Sequence, residues 1–288
     1  MSVQNTECAR FDRAQLKESF SKVPVGLKLL GGSINPGSPS IFQMNIHNSR
    51  QFGEYVQIWP GDRKNEIEVL SIDRSLVQLV LRVKEPRRPY VEVVKKSAFE
   101  SADAVAKRVH AAGGRILRET RYDWRVELWT PEFDRRYLCG RDDIHLFIAQ
   151  VQVGDTVAQA HESLKPELVK QREAVMPGSI ERQGEWFFVP LSEEESQRFD
   201  EHLNACPRAV KKRAPVGAGG RPHVADNVVT IDRRVRSKRR EYRRPEVYAR
   251  GLVVHPDHRN LHLREWKRVV RNAEIRTTND QLRLSWID

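Results

Sequence analysis

The sequence predicts a strand-dominated α+β fold that consists of two domains. Short runs in which apolar and polar residues alternate recur along the chain, separated by Gly, Pro and Asp residues, as is typical of antiparallel sheets. Only a few stretches have apolar residues at helical spacing. The excess positive charge is confined to the last part of the chain, which distinguishes that part from the rest. We therefore expect a domain at residues 1–153 and a basic, β-rich domain at 180–288, joined by a partly helical connector at 154–179.

The first domain is predicted to be mostly β, with one or two helices. An amphipathic stretch at residues 10–20 predicts a short helix, and helix-forming residues at 97–112 predict a second one that ends at Gly113. The strand-like runs lie at residues 41–46, 54–59, 67–72, 76–81, 90–94, 124–129, 136–139 and 145–153.

The connector is predicted to be a helix interrupted at Pro166, and the second domain to open with a strand at 185–190. Ser192 and Glu195 form an S-x-x-E capping box, which predicts the start of a helix that ends near Cys206. The basic and then Gly-rich stretch at 208–220 predicts a loop. Three further strands are predicted at residues 223–232, 247–255 and 261–270.

Composition excludes several classes of protein. There is no run of about 18 apolar residues that could span a bilayer, and residues 1–17 lack the layout of a signal peptide. The three cysteines, Cys8, Cys139 and Cys206, are odd in number and far apart, which argues against a disulfide framework or a cysteine-based zinc site. We expect a cytoplasmic protein with no membrane partner.

The positive charge predicts a polyanionic partner. The net charge is +11, and residues 208–288 carry 21 Lys and Arg against 9 Asp and Glu, so the first 207 residues are nearly neutral. Eight of the twelve residues at 233–244 are basic, and most are arginines, which suit phosphates and unpaired bases. The predicted nucleic-acid-binding residues are Lys211, Lys212, Arg213, Arg233, Arg234, Arg236, Lys238, Arg239, Arg240, Tyr242, Arg243 and Arg244.

Three interpretations of this charge remain open. The first is a nucleic-acid-binding protein, such as a subunit of a ribonucleoprotein or of a defence or processing complex, with residues 1–153 docking other proteins. RNA is favoured over duplex DNA because the sequence has no helix-turn-helix or zinc-finger pattern. The second is a scaffold that binds an acidic protein, and the third is a solvated surface. A lipid surface is disfavoured because no amphipathic helix with aromatic anchors accompanies the basic run.

Histidines in the basic domain form a candidate site. His255 and His258 lie in an HPDH segment, and His223 precedes the neighbouring predicted strand, so that pairing of the two strands would bring all three close together. These three are the candidate catalytic residues of a phosphodiesterase or nuclease that uses histidines or a metal. His255 and His258, with Asp257 or Asp226, are candidate ligands of a divalent metal, and no other cofactor is predicted. The alternative is a structural turn, because Pro and Asp favour one.

Three motifs in the second domain resemble those of a group of short bacterial proteins. RQGEWFFVP at 182–190 is similar to the group's RQGD strand, and VHPDH at 254–258 to its HPEH-like turn. His223 occupies the place of a strand that contains Gly and His, and WKRVVRN at 266–272 that of the closing strand. The resemblance covers residues 180–275 and leaves the first domain without a relative. It implies a compact β-rich domain and no activity, because the group is functionally uncharacterised. The middle strand of the group usually contains two histidines, of which this chain has only His223. The segment 233–244 is an insertion relative to the group.

Overall fold

A computed structural model of the protein describes residues 12–31, 41–51, 53–96, 101–217, 222–236 and 241–275, without the side chains of residues 235, 236 and 241–243. Strands form most of the regular structure and helices are few, so the prediction of a strand-dominated α+β fold is confirmed. None of the described helices has both the length and the apolar character needed to cross a bilayer.

The N-terminal part contains two helices and ten strands in the described ranges. The elements are α1 (Arg13–Ser21), β1 (Gly26–Leu29), β2 (Gln43–Ser49), β3 (Gly53–Trp59), β4 (Glu66–Asp73), β5 (Gln78–Glu85), β6 (Pro89–Lys95), α2 (Ala102–Ala111), β7 (Arg115–Glu119), β8 (Asp123–Trp129), β9 (Phe133–Asp142) and β10 (His145–Val151). They form three sheets, with strand orders β1-β3-β2, β10-β9-β5-β4 and β6-β8-β7.

Two of these sheets share one core. Phe20 of α1 and Met44 of β2 lie in the same buried cluster as Leu81 of β5 and Ile148 of β10. Helix α1 begins at the cap of Asp12, whose carboxylate accepts hydrogen bonds from two backbone N–H groups of the first turn. The shared core fixes the four-stranded sheet, whose turn between β9 and β10 faces the C-terminal part.

The third sheet forms a separate unit between β5 and β9. Its core consists of Val105 and Val109 of α2 packed against Trp124 and Val126 of β8. The opposite face of this sheet exposes apolar side chains, among them Val93. The expectation that residues 1–153 dock other proteins stays a prediction.

The connector and the C-terminal part contain the remaining elements. These are α3 (Val157–Leu164), α4 (Glu167–Val175), β11 (Glu181–Gln183), β12 (Trp186–Pro190), α5 (Glu193–Ala205), β13 (Lys211–Pro215), β14 (Val224–Arg236), β15 (Glu241–His255) and β16 (His258–Arg271). The connector breaks at Pro166, as expected from a residue that has no N–H to donate. Helix α3 packs on the four-stranded sheet through Ala160 and Leu164, whereas Val169 of α4 packs on Phe187 of β12.

The C-terminal part is built on one antiparallel sheet of six strands, in the order β11-β12-β16-β15-β14-β13. Side chains of its own strands, such as Phe188 and Val253, fill the core on one face. Helix α5 covers the other face, where Phe199 packs against Tyr248 and Trp266. The helix begins at the capping box that the sequence predicts.

The prediction of a loop at 208–220 is wrong for residues 211–215, which form β13. This strand pairs with β14 and lies at the edge of the sheet. An edge strand can keep its charged side chains in water while its backbone pairs on one side only, so a Lys- and Arg-rich sequence is compatible with it. A Lys- and Arg-rich stretch looks like a loop in the sequence, because composition alone does not show that it lies at the edge of a sheet.

Contacts between the two parts are concentrated at the β9–β10 turn. The backbone N–H of Arg259 donates to Asp143 at 3.1 Å, and the Arg259 guanidinium lies 3.5 Å from the same carboxylate. The described chain ends against the N-terminal part, where the N–H of Ile275 donates to the carbonyl of Gln150. The boundaries predicted for the two domains stay a prediction, although β10 ends at Val151 and β11 begins at Glu181.

We expect His161 of the connector to make stability depend on pH. Its Nε2 lies 2.6 Å from Gln78 Oε1, and its Nδ1 lies 3.2 Å from Arg182 Nη1. The guanidinium can donate only to a neutral ring, so these contacts require His161 to be uncharged. Burial, with the charges of Arg182 and Lys165, lowers the pKa of His161 to about 4, against 6.5 for an ordinary histidine. Since the unfolded chain binds the proton more readily, stability is complete above about pH 6.5 and is lost as the pH falls from there towards 4.

The urea concentration at the midpoint of unfolding should therefore decrease as the pH is lowered from 7 to 5. The decrease should be smaller in His161→Gln than in the wild type. His110→Gln, which alters an exposed histidine of α2, serves as the control and should follow the wild type. An identical pH dependence in the wild type and in His161→Gln would contradict the assignment.

Candidate functional site

The hairpin of β14 and β15 extends beyond the rest of the sheet. The two strands pair from Val224 opposite Val254 to Arg236 opposite Glu241. Strand β13 pairs with β14 only as far as Val228, and β16 pairs with β15 only from Val247 onwards. Residues 231–236 and 241–246, which we call the basic hairpin, therefore form a two-stranded ribbon.

The strands predicted at 223–232 and 247–255 extend further than expected, because β14 and β15 include residues 233–236 and 241–244 of the basic run. Arg233 lies opposite Arg244, and Arg234 lies opposite Arg243. The side chains of Arg233, Arg234 and Arg244 are exposed. Arg236, Tyr242 and Arg243 also lie in the two strands, without described side chains, and Lys238, Arg239 and Arg240 lie outside the described residues.

The ribbon places like charges opposite each other. Directly opposed residues on paired strands have their Cβ atoms only about 5 Å apart, and like charges at such positions are destabilising. Arg233 is partly compensated by Glu246, with Nη1 3.3 Å from Oε1. Within the described residues, neither Arg234 nor Arg244 forms an ion pair. The basic hairpin thus carries positive charge that a polyanion would neutralise.

A buried network of ion pairs holds the base of the basic hairpin. Glu246 Oε1 accepts from Arg268 of β16 at 2.7 Å, and Glu246 Oε2 accepts from the Tyr248 hydroxyl at 3.0 Å. Arg268 also donates to Glu195, which accepts from Arg172 of α4. Burial would raise the pKa of Glu195, but hydrogen bonds from the Ser192 N–H, Arg172 and Arg268 outweigh it and lower the pKa. The network links both strands of the hairpin to α4, α5 and β16.

The second predicted basic block lies on the same edge of the sheet. Lys211, Lys212 and Arg213 belong to β13, with Lys211 opposite Val228. Arg233 follows five residues further along β14, about 17 Å away at the rise of a β-strand. The side chains of Lys211, Lys212 and Arg213 are exposed, and Lys212 donates to Asn227 at 2.6 Å. The two blocks therefore form a line of positive charge along one edge.

The three candidate histidines meet at the opposite end of the same hairpin. Val224 of β14 pairs with Val254 of β15, so the next positions outward are His223 and His255. His255 in turn pairs with His258, the first residue of β16. The ring centroids of His223 and His255 are 4.2 Å apart, those of His255 and His258 4.9 Å, and those of His223 and His258 5.3 Å. One ring nitrogen from each residue lies within 4.8 Å of the other two.

Register shifts lie close to these histidines in both strand pairs, and the shift between β15 and β16 falls between Val253 and His255. The register between β14 and β15 shifts by one residue between Ala225 and Asn227, and a shift of one residue reverses the face on which later side chains lie. Asp226 stabilises the bulge, because its carboxylate accepts from the N–H of Leu252 at 2.9 Å. The prediction that Asp226 joins the histidines is therefore not supported, whereas Asp257 does lie beside them.

Asp257 connects the histidines to the N-terminal part. Its backbone N–H donates to His255 Nδ1 at 3.2 Å, and its Oδ1 lies 3.3 Å from His145 Nε2. His145 Nδ1 in turn lies 2.6 Å from Glu54 Oε1. His145 and Glu54 were not among the predicted site residues, and no sequence signal identifies them, because they belong to strands of the other sheets.

Burial limits what the histidine cluster can do. His223, His255 and His258 are 1%, 5% and 6% exposed. A phosphodiester within a polymer needs access to the catalytic side chains, and these rings offer almost no surface to it. The arrangement favours a role inside the protein, such as holding an ion, over cleavage of nucleic acid. The hypothesis of a nuclease stays a prediction.

Comparison with family models, with curated proteins and with solved structures finds no match for this chain. The resemblance of residues 180–275 to short bacterial proteins therefore also stays a prediction. Function has to be argued from the two sites themselves.

We expect that only glycine is tolerated at position 184, because the ring of His258 packs against it. The glycine has φ +57, and a Cβ added there would lie 2.5 Å from His258 Nε2. Gly178 has φ +73 but open space around it, so it is a matched control for backbone strain alone. Gly178→Ala should lower the free energy of unfolding by about 1–2 kcal/mol, the usual cost of a left-handed conformation. Gly184→Ala should cost roughly 1–3 kcal/mol more, as an overpacked site does.

Chemical denaturation of the two variants measures this difference. Equal losses of stability in Gly184→Ala and Gly178→Ala would show that the ring of His258 does not pack against Gly184.

Proposed function

We propose that the protein binds nucleic acid through the basic hairpin and the adjoining basic edge. The observation that carries the proposal is the two pairs of opposed arginines, Arg233 with Arg244 and Arg234 with Arg243, on a ribbon that projects from the sheet. Phosphates placed between such side chains would remove the repulsion that the free protein sustains.

Arginine is suited to this task for two reasons. Its planar guanidinium forms paired hydrogen bonds to phosphate oxygens, and it stacks on unpaired bases. Each phosphate that is neutralised releases a counterion, so affinity decreases as the salt concentration increases. Lys211, Lys212 and Arg213 extend the positive surface along the edge and would contact phosphates further along the strand.

The ribbon bears on the choice between RNA and DNA. The sequence favours RNA because it has no helix-turn-helix or zinc-finger pattern. A two-stranded β-ribbon, however, also fits the major groove of B-form DNA. Both classes of nucleic acid belong in the test, and RNA remains the favoured ligand. Membership of a ribonucleoprotein or of a defence or processing complex is part of the same proposal.

The variant that replaces Arg233, Arg234, Arg243 and Arg244 with Gln should bind nucleic acid weakly. We expect the logarithmic salt slope to become shallower by up to about 3–4, or about 0.7–0.9 for each phosphate that the variant no longer neutralises. Fluorescence anisotropy measures this with labelled single-stranded RNA, hairpin RNA and duplex DNA, at salt concentrations from about 50 to about 200 mM.

The matched control removes the same charge elsewhere. Arg115, Arg118, Arg121 and Arg125 are exposed on the sheet of β6, β7 and β8, and their replacement with Gln should leave binding nearly unchanged. Equal reductions of affinity in the two variants would indicate net charge rather than the ribbon. Wild-type protein that binds none of the three probes at low salt would overturn the proposal and would favour an acidic protein as the partner.

A further inference from the structure

We propose that His223, His255 and His258 together bind one divalent transition metal ion, and that Asp257 orients His255 for this purpose. The proposal does not depend on nucleic-acid binding, because the cluster lies at the end of the hairpin that is remote from the opposed arginines.

The first support is convergence from three strands. His223 directly precedes β14, His255 ends β15 and His258 begins β16, and directly opposed residues of neighbouring strands point to the same face. A single row across the sheet thus supplies three imidazoles, with one nitrogen of each within 4.8 Å of the others. In a tetrahedral site with bonds of about 2.0–2.1 Å the nitrogens are closer, at about 3.3–3.4 Å. The ring planes lie within 14–29° of one another, so binding the ion requires the rings to turn out of this stack until their nitrogens face a common point.

The second support is the chemistry of the donors. Three imidazole nitrogens without a thiolate suit Zn²⁺, Co²⁺, Ni²⁺ or Cu²⁺, whereas Mg²⁺ and Ca²⁺ require oxygen ligands. Neither described cysteine joins the cluster, because Cys139 lies in the core of the N-terminal part and Cys206 is exposed at the end of α5. Three protein ligands leave a fourth position for water or a carboxylate.

The third support is the group behind the first ligand. Metal-bound histidines commonly donate their second nitrogen to a carboxylate, which fixes the orientation of the ring. Asp257 Oδ2 lies 4.0 Å from His255 Nδ1, and its Oδ1 lies 3.3 Å from His145 of the N-terminal part. In the free protein His255 Nδ1 accepts from the Asp257 N–H, so its proton is on Nε2. When the ion replaces that proton at Nε2, the proton moves to Nδ1, which turns from the Asp257 N–H to the carboxylate and donates to it. The same carboxylate makes the site part of the contact between the two parts.

The test uses the full-length protein after removal of metal by a chelator. Isothermal titration with Zn²⁺ should show one ion per chain. His255→Asn should reduce the affinity by more than roughly 100-fold, and Asp257→Asn by about 10–100-fold, as expected for a ligand and for the group that orients it. His262→Asn is the matched control, because His262 lies four residues after His258 on the same strand and is exposed. Its affinity should equal that of the wild type.

X-ray absorption of the wild-type protein loaded with Zn²⁺ makes the test independent of whether the variants fold. Three imidazoles at about 2.0–2.1 Å support the proposal. Fewer than three imidazoles, no stoichiometric binding by the wild type, or undiminished binding by a folded His255→Asn protein would each overturn it. Circular dichroism in the presence of chelator establishes that a variant is folded. In any of the overturning cases the cluster is a stack of structural histidines.

Discussion

The antiparallel pairing of β14 with β15 is the constraint on which both candidate sites depend. At one end it sets His223 beside His255, and at the other it sets Arg233 opposite Arg244. The two ends are about 30 Å apart at the rise of a β-strand. Because side chains alternate between faces, a slip of one residue would separate the histidines and reorient the arginines together. Over the described part of these two strands, the bulge at Asp226 is the one shift in their register, and it changes the face on which the histidines lie relative to the arginines.

The hairpin can sustain repulsion at its outer end because its base is anchored. Glu246 and Arg268 connect it to Glu195 and Arg172, so strands and helices from separate stretches of the chain converge on one buried network. Ion pairs of this kind add little net stability, but removal of one partner leaves a buried charge uncompensated. Pro245 lies opposite Asp232, two residues before the point at which β16 begins to pair with β15, and a proline is tolerated at such an edge position.

The histidine cluster differs from the basic hairpin in what it can contact. The hairpin presents charge to solvent, whereas the three rings are buried where the C-terminal sheet meets the β9–β10 turn. Asp257 shapes the HPDH turn through its N–H and contacts His145 through its carboxylate. The interpretation as a turn and the interpretation as a site are therefore compatible: the turn is what brings His255 and His258 face to face.

The sequence by itself determined what depends on neighbours along the chain. The capping box at Ser192, the break at Pro166 and the strand-dominated class all follow from local spacing, and all three are found in the structure. The candidate histidines and arginines could also be named, because charge and ligand chemistry belong to single residues. Only the tertiary structure decided that residues 233–236 and 241–244 extend a paired ribbon, and that His145 lies against Asp257. Such pairings join residues far apart in the chain, and they are set by the packing of whole sheets, which no local pattern encodes.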